Sequence, residues 1–360
     1  MLRLVRWIVI ATLMVALSQS ATAQSIQVNC GAGDTLAQAL GTAQPGMVIQ
    51  VAGTCQERVT VTTDRVTIDG QGSAIIDGGG EFPIEPALAG VITIDGASGV
   101  RIMGLTVQNG PDGILILRGA SATLTDVTSQ NNADEGLQVT RGSTATFGGT
   151  IISQNNGDDG ISVLFTSSLL IAGGSTVSSL NNGGDGISIF SSSSFRSSQS
   201  ILQLDQNGRL EPGGDGLKIV GTSTASLAFN TNLTANQNAR RGITLSSASY
   251  LAVTEMSAVT VMNNGDDGLG IFSLSRFFLG SGSPLRSESN ADTGINVSSI
   301  AIASCSTQST VTLLNNTIAP SFVSLNSQAT PSCLESNVSL PLERQHVLPP
   351  SSEVDQSESN

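Results

Sequence analysis

The strongest constraint on this chain is a glycine that keeps returning. Gly113, Gly136, Gly160, Gly186, Gly216, Gly242, Gly268 and Gly294 are separated by 23, 24, 26, 30, 26, 26 and 26 residues. Most follow asparagine and an acidic residue and precede an apolar alternation, as in Asn155-Asn156-Gly157-Asp158-Asp159-Gly160-Ile161-Ser162-Val163. A unit of this length cannot bury an apolar face by itself, and repetition lets neighbouring units bury it for one another. The repeat therefore predicts one stacked solenoid, although 360 residues would also allow two globular domains.

Aligning the units on the glycine shows what each position does. The next residue is always apolar: Ile114, Leu137, Ile161, Ile187, Leu217, Ile243, Leu269, Ile295. So is the third: Ile116, Val139, Val163, Ile189, Ile219, Leu245, Ile271, Val297. The second varies: Leu115, Gln138, Ser162, Ser188, Lys218, Thr244, Gly270, Asn296. Period 2 with one apolar face predicts a strand, with the second position facing outward. Equivalent strands would stack as a parallel sheet about 4.8 Å apart, three strands to a coil. The pairs Asn131-Asn132, Asn155-Asn156, Asn181-Asn182, Asn263-Asn264 and Asn315-Asn316 suit corners. Asparagine tolerates left-handed conformations, and its amide can bond to the next coil.

The ends read differently. Arg3, Arg6, the apolar run 8–17 and Ala21-Thr22-Ala23 predict a secretory signal over residues 1–23, with export to the periplasm or beyond. The run is short for a spanning helix and no second one follows, so the exported chain would hold no membrane span; an uncleaved anchor is the alternative. Residues 34–40 read as a short helix capped by Asp34, and Pro45-Gly46 as a turn. Four cysteines suit an oxidising compartment. Cys30 with Cys55, and Cys305 with Cys333, would staple the two ends. A cysteine metal site is disfavoured by the lack of Cys-x-x-Cys and by a single histidine, His346. The formal charge of −13 repels nucleic acid and other polyanions. Residues 24–340 are expected to form the solenoid with its cap and closing segment, as a monomer, and 341–360 a disordered tail.

Taken together, the coil of 23–26 residues, the asparagine corners, the Asp-Gly-Ile-x-Val strands and the N-terminal helix resemble a right-handed parallel β-helix of the pectin lyase-like superfamily. The resemblance covers roughly residues 26–335 and implies an all-β chain of about ten coils. It does not single out an activity, because the superfamily includes lyases, hydrolases, esterases, epimerases, phage spikes and members with none known. Polygalacturonase-like members carry Asn-Thr-Asp, Gly-Asp-Asp, Gly-His-Gly and Arg-Ile-Lys. Here only Gly157-Asp158-Asp159 and Gly265-Asp266-Asp267 match. The His-containing signature of the alginate epimerases is missing, and pectate lyase-like chemistry wants basic residues over a polyanion.

The candidate chemistry lies in two columns ahead of the glycines. One reads Asp112, Glu135, Asp159, Asp185, Asp215, Arg241, Asp267, Thr293; the other Pro111, Asp134, Asp158, Gly184, Gly214, Arg240, Asp266, Asp292. Stacked carboxylates match the spacing glycosidases need, and mutual repulsion would raise one pKa as a general acid requires. The same oxygens suit calcium. Equally, acid before glycine is ordinary turn chemistry facing water. Arg240 and Arg241 either relieve the column's repulsion or, with Asp267, clamp a substrate. Lys218 is either a desolvated base or a solvated surface lysine. The step of 30 comes from an insertion, Arg209-Leu210-Glu211-Pro212, beside these residues, and loops on a solenoid wall often build the binding side. The leading functional reading is an exported scaffold that binds a polysaccharide or cell-surface component. The rivals are a polysaccharide lyase or hydrolase using Asp158, Asp159, Asp185, Asp215 and Lys218, and an adhesin or stalk module. The enzyme reading requires Asp158, Asp185, Asp215 and Arg241 to face one groove.

Overall fold

The computed structural model describes residues 24–80, 89–210, 213–306, 308–317 and 338–339. The expected signal, tail and Cys333 lie outside the described residues. Among the described residues, thirty strands wind as a parallel solenoid, and each coil pairs in parallel with the next. One ten-stranded sheet contains the segments after the recurring glycines. It runs from Val59–Val61 through Asp112–Leu117, Leu137–Val139 and Leu217–Val220 to Ile295–Val297. A second, twenty-stranded sheet supplies the other two walls. The long strand Thr144–Gln154 spans both of these walls and pairs onward with two separate strands, Ser168–Ile171 and Thr176–Leu180. From there a coil has three short strands, as its length predicted.

The inward positions are apolar and closed. Ile161, Val163, Ile187 and Ile189 have no exposed surface. Each such side chain contributes about 1.5–3 kcal/mol relative to exposure. Large rings sit beside small neighbours, Phe195 opposite Ala225 and Phe277 opposite Ala303, which keeps the column filled without overpacking.

The recurring glycine has a reason the sequence did not disclose. None of the eight takes a positive φ. A Cβ at Gly160 would lie 1.9 Å from Ser179 Oγ, and across the eight positions the nearest atom would be at 1.9–2.7 Å. Close packing against the next coil, not turn geometry, excludes a side chain. The left-handed conformation falls earlier, on Asn131, Asn155, Asn181, Asn263 and Asn315 at φ 51–57°. The second asparagine of each pair turns inward and builds a ladder. Asn156 Nδ2 donates to Asn182 Oδ1 at 3.0 Å, and Asn182 Nδ2 to Asn207 Oδ1 at 3.0 Å. The ladder continues through Asn238, Asn264 and Asn290 to Asn316. The corner after the ten-stranded sheet has its own ladder, in which the buried Ser167, Ser193 and Ser223 each accept from the preceding coil's amide.

At the N-terminal end the helix α1 (Leu36–Thr42) begins two residues later than expected. Thr35 caps it, its hydroxyl accepting from Gln38 N–H at 3.2 Å, while Asp34 accepts from Asn29 N–H instead. Glu57 receives the free amides of Leu36 and Ala37 at 2.7 and 2.9 Å, so the helix start is held by the solenoid itself. Cys30 and Cys55 are joined, with Cα atoms 5.1 Å apart. Cys305 is also disulfide-bonded. Beyond the helix, one long strand, Thr67–Asp77, runs along the first full coil. No helix among the described residues is long and apolar enough to cross a membrane.

Candidate functional site

The acid column folds into a third ladder. Asp159 Oδ1 accepts from Asp185 N–H at 2.7 Å, and Asp185 Oδ1 from Asp215 N–H at 2.7 Å. Asp215 Oδ1 accepts from Arg241 N–H at 3.0 Å, and Asp267 Oδ1 from Thr293 N–H at 3.3 Å. In-register stacking sets each carboxylate against the amide of the next coil. These acids therefore bond between coils rather than only facing water from a tight turn. The column also leans over the neighbouring strand and covers it. Glu135 touches Gln138, Asp185 meets Lys218, and Asp267 meets Asn296. This is why the positions expected to face outward are mostly buried, with Ser162 only 1 % exposed.

Depth separates the candidate residues. Asp215 and Asp267 are completely buried and Asp185 is 4 % exposed. Asp159 is half-buried, and Asp134 and Asp158 are exposed. A cleft of about 460 Å³ opens over Gly157 and Gly183 and is lined by Asp134, Asp158, Asp159, Asp185, Lys218 and Arg240, with Ser188, Phe190 and Leu210. The structure thus brings together Asp158, Asp159, Asp185, Lys218 and Arg240, and leaves Asp215, Arg241 and Asp267 outside the cleft wall. The four residues Asp158, Asp185, Asp215 and Arg241 do not share one groove. Leu210, on the insertion, stands between this cleft and a second one of about 380 Å³ over the asparagine corner.

Charge inside the cleft is tightly arranged. Lys218 Nζ lies 3.0 Å from Asp185 Oδ2. Burial acts to lower the Lys218 pKa, but the charge and hydrogen bond of Asp185, with Asp215 and Asp159 nearby, raise it above its ordinary value. Lys218 is therefore a held cation, neither a neutral base nor a freely solvated lysine. Burial first, then repulsion from Asp185 and Asp158, pushes Asp159 well above the carboxylate range. Asp158 is raised by desolvation and by Asp134. Asp185 is raised by burial and by Asp215, with Lys218 opposing.

The two arginines lie in different surroundings. Arg240 lines the cleft. Arg241 turns away and relieves the column. Its guanidinium lies 2.6 Å from Asp266 and 2.9 Å from Asp267, and it covers the Phe272 ring at 4.8 Å. Asp266, Asp267 and Asp292 form one carboxylate group; Asp112, Asp134 and Glu135 form another. In the latter, burial and the charges of Asp112 and Asp134 push Glu135 up to about 10. Asp112 rises to about 7, mainly by burial. Asp112, Asp134, Glu135 and Gln138 were visible in the aligned columns but were not singled out. The signal available was an acidic run with no basic residue at the aligned column positions of the adjoining coils.

The geometry defines a parallel β-solenoid with an open, acidic cleft on its ten-stranded sheet. Residues 90–317 match the family described as right handed beta helix region, and the chain belongs to that family. Solved structures with a similar fold include the pectate lyase Pel9A, 13% identical, TM-score 0.49, covering 89% of this chain and 82% of that one. Others are the alginate lyase from Paenibacillus sp. str. FPU-7 (14% identical, TM-score 0.40, 88% and 97% covered) and the Azotobacter vinelandii mannuronan C-5 epimerase AlgE4 A-module (12%, 0.36, 88% and 89%). At such identities the likeness speaks to the fold alone. No curated protein matches the chain by sequence.

Proposed function

We propose that this is an exported β-helix that binds a neutral polysaccharide in the cleft between Phe190 and Asp158. One observation supports the reading above others. An aromatic ring 40 % exposed stands on the same cleft as a row of carboxylates, a lysine and an arginine. A pyranose offers an apolar C–H face and a rim of hydroxyls, which suits a ring on one side and charged hydrogen-bonding groups on the other. Four acidic residues against Lys218 and Arg240 disfavour a uronate chain and favour an uncharged one. The Cys30–Cys55 disulfide supports an oxidising compartment, consistent with export.

The enzyme that needed Asp158, Asp185, Asp215 and Arg241 in one groove is set aside by the cleft lining, and the second reading is a glycoside hydrolase confined to the cleft carboxylates, without Asp215 or Arg241. It is favoured by Asp159, which holds its proton far above the ordinary range in the same cleft as Asp158. Calorimetric titration against soluble neutral glycans, with a reducing-sugar assay on the same panel, separates the two. Binding without turnover, weakened at least about tenfold by Phe190→Ala, supports the scaffold. Turnover abolished by Asp159→Asn supports the hydrolase. No binding to any neutral glycan sinks both.

A further inference from the structure

The insertion at 209–212 breaks the repeat where the surface has two clefts side by side. The larger holds the carboxylates, Lys218 and Phe190. The smaller, of about 380 Å³, lies over the asparagine corner. Gly157, Gly183 and Leu210 line both, so the two share a floor. Within one coil the chain runs from Asn155 over Gly157 and Asp159 into the strand Ile161–Val163. A line joining the clefts therefore follows the coil and crosses the direction of stacking.

The insertion is fastened to that floor. Arg209 and Leu210 donate their N–H groups to the carbonyls of Asn182 and Gly183 at 3.3 and 3.1 Å. A Cβ at Gly183 would lie 2.0 Å from the Gly157 carbonyl oxygen and 2.9 Å from Leu210 Cδ1, so a side chain there would displace the loop. Leu210 is nevertheless 59 % exposed, an apolar side chain held at a fixed place between two clefts. On its far side stand Asn131 and Asn155, one coil apart, and Arg209, all three exposed. The inner asparagines Asn132 and Asn156 are committed to the ladder. Among the described residues, the outer two and Arg209 have no side-chain hydrogen bond or ion pair of their own. Amides both donate and accept and a guanidinium donates, which matches a rim of hydroxyls.

We infer that the insertion joins the two clefts into one groove that takes a neutral glycan lying round the coil, transverse to the solenoid axis. Phe190 and Leu210 are its apolar platforms, and Asn131, Asn155 and Arg209 bind hydroxyls at its far end. This rests on the glycan reading of the larger cleft and adds a direction, a length requirement and a second set of contacts. A uronate chain reaching Arg209 from that cleft would have to pass over Asp134 and Asp158, both exposed, which again favours an uncharged chain.

Calorimetric titration of disaccharides and hexasaccharides of glucose, xylose and mannose tests this. The hexasaccharide that binds is expected to do so at least about tenfold more tightly than its disaccharide, because it alone reaches both clefts. Arg209→Ala changes an exposed side chain, and glycine accepts the φ of 57° at residue 155, so Arg209→Ala and Asn155→Gly should both fold. Each is expected to weaken the hexasaccharide about fivefold or more and to leave the disaccharide unchanged. Deleting residues 209–212 returns the step of 30 to the ordinary 26 and is expected to bring the hexasaccharide down to the affinity of the disaccharide. Asn263→Gly, exposed at the same corner beyond the clefts, keeps wild-type binding. Equal affinity for the two lengths overturns the transverse groove. So does a hexasaccharide weakened by Phe190→Ala but indifferent to Arg209→Ala, Asn155→Gly and the deletion, an outcome that leaves the glycan reading of the larger cleft standing. Binding of none of the sugars overturns both.

Discussion

The groups around Glu135 and around Asp267 occupy equivalent places on the same solenoid, yet they settle their charge in opposite ways. At the C-terminal end, Arg241 replaces the acid of the column and its guanidinium reaches Asp266 and Asp267. At the N-terminal end no cation is built in, and Glu135 is driven to hold its proton. The backbone is the same at both, so the difference lies in one substituted position. A stacked repeat brings like charges together by construction, and each coil must then find a countercharge or a proton.

The most severe way to break this contrast is Arg241→Met. It leaves the wholly buried Asp267 carboxylate without its ion pair. The expected loss is about 3–5 kcal/mol in urea-induced unfolding. Next is Asn182→Ala, which attacks the ladder common to both ends. Asn182 accepts from Asn156 and donates to Ser179 and Asn207. The expected loss is about 2–3 kcal/mol, read from the same unfolding curves. Insensitivity to either change would mean that the coils are held by apolar contacts alone.

A third measurement concerns pH in the middle of the column. Asp159 binds its proton more tightly folded than unfolded, so its contribution favours the fold at low pH and is lost as pH rises above the ordinary 3.8. Lys218 acts at the other end of the scale. Its raised pKa contributes stability that is full below 10.5 and lost as pH rises through the folded value. Lys218→Met should therefore steepen the fall of the urea midpoint between pH 4 and pH 8. An unchanged profile would detach Lys218 from the carboxylates. The smallest effect is expected from Glu135→Gln at pH 7, within about 1 kcal/mol of wild type, because the amide mimics the protonated acid already present.

The strand pattern and coil length were readable because inward positions repeat every second residue and every coil repeats the last. Three ladder members were harder to see. Asn207, Asn238 and Asn290 follow Gln206, Gln237 and Ser289, not a second asparagine. The site was legible as two columns of residue types, but not in depth. Asp159 and Asp215 occupy the same column in sequence; one is half-buried and the other has no exposed surface. The insertion at 209–212 did mark the cleft, since Leu210 forms part of its lining.

The sequence by itself determined the solenoid, the register of its coils and which face of each strand is core. Those follow from periodicity, which is local and repeated. Only the tertiary structure decided why the recurring glycine is glycine, which carboxylates reach solvent, and which charge answers which. These depend on the few ångströms between one coil and the next: a Cβ at Gly160 would meet Ser179 at 1.9 Å, and Asp185 meets Lys218 across coils at 3.0 Å.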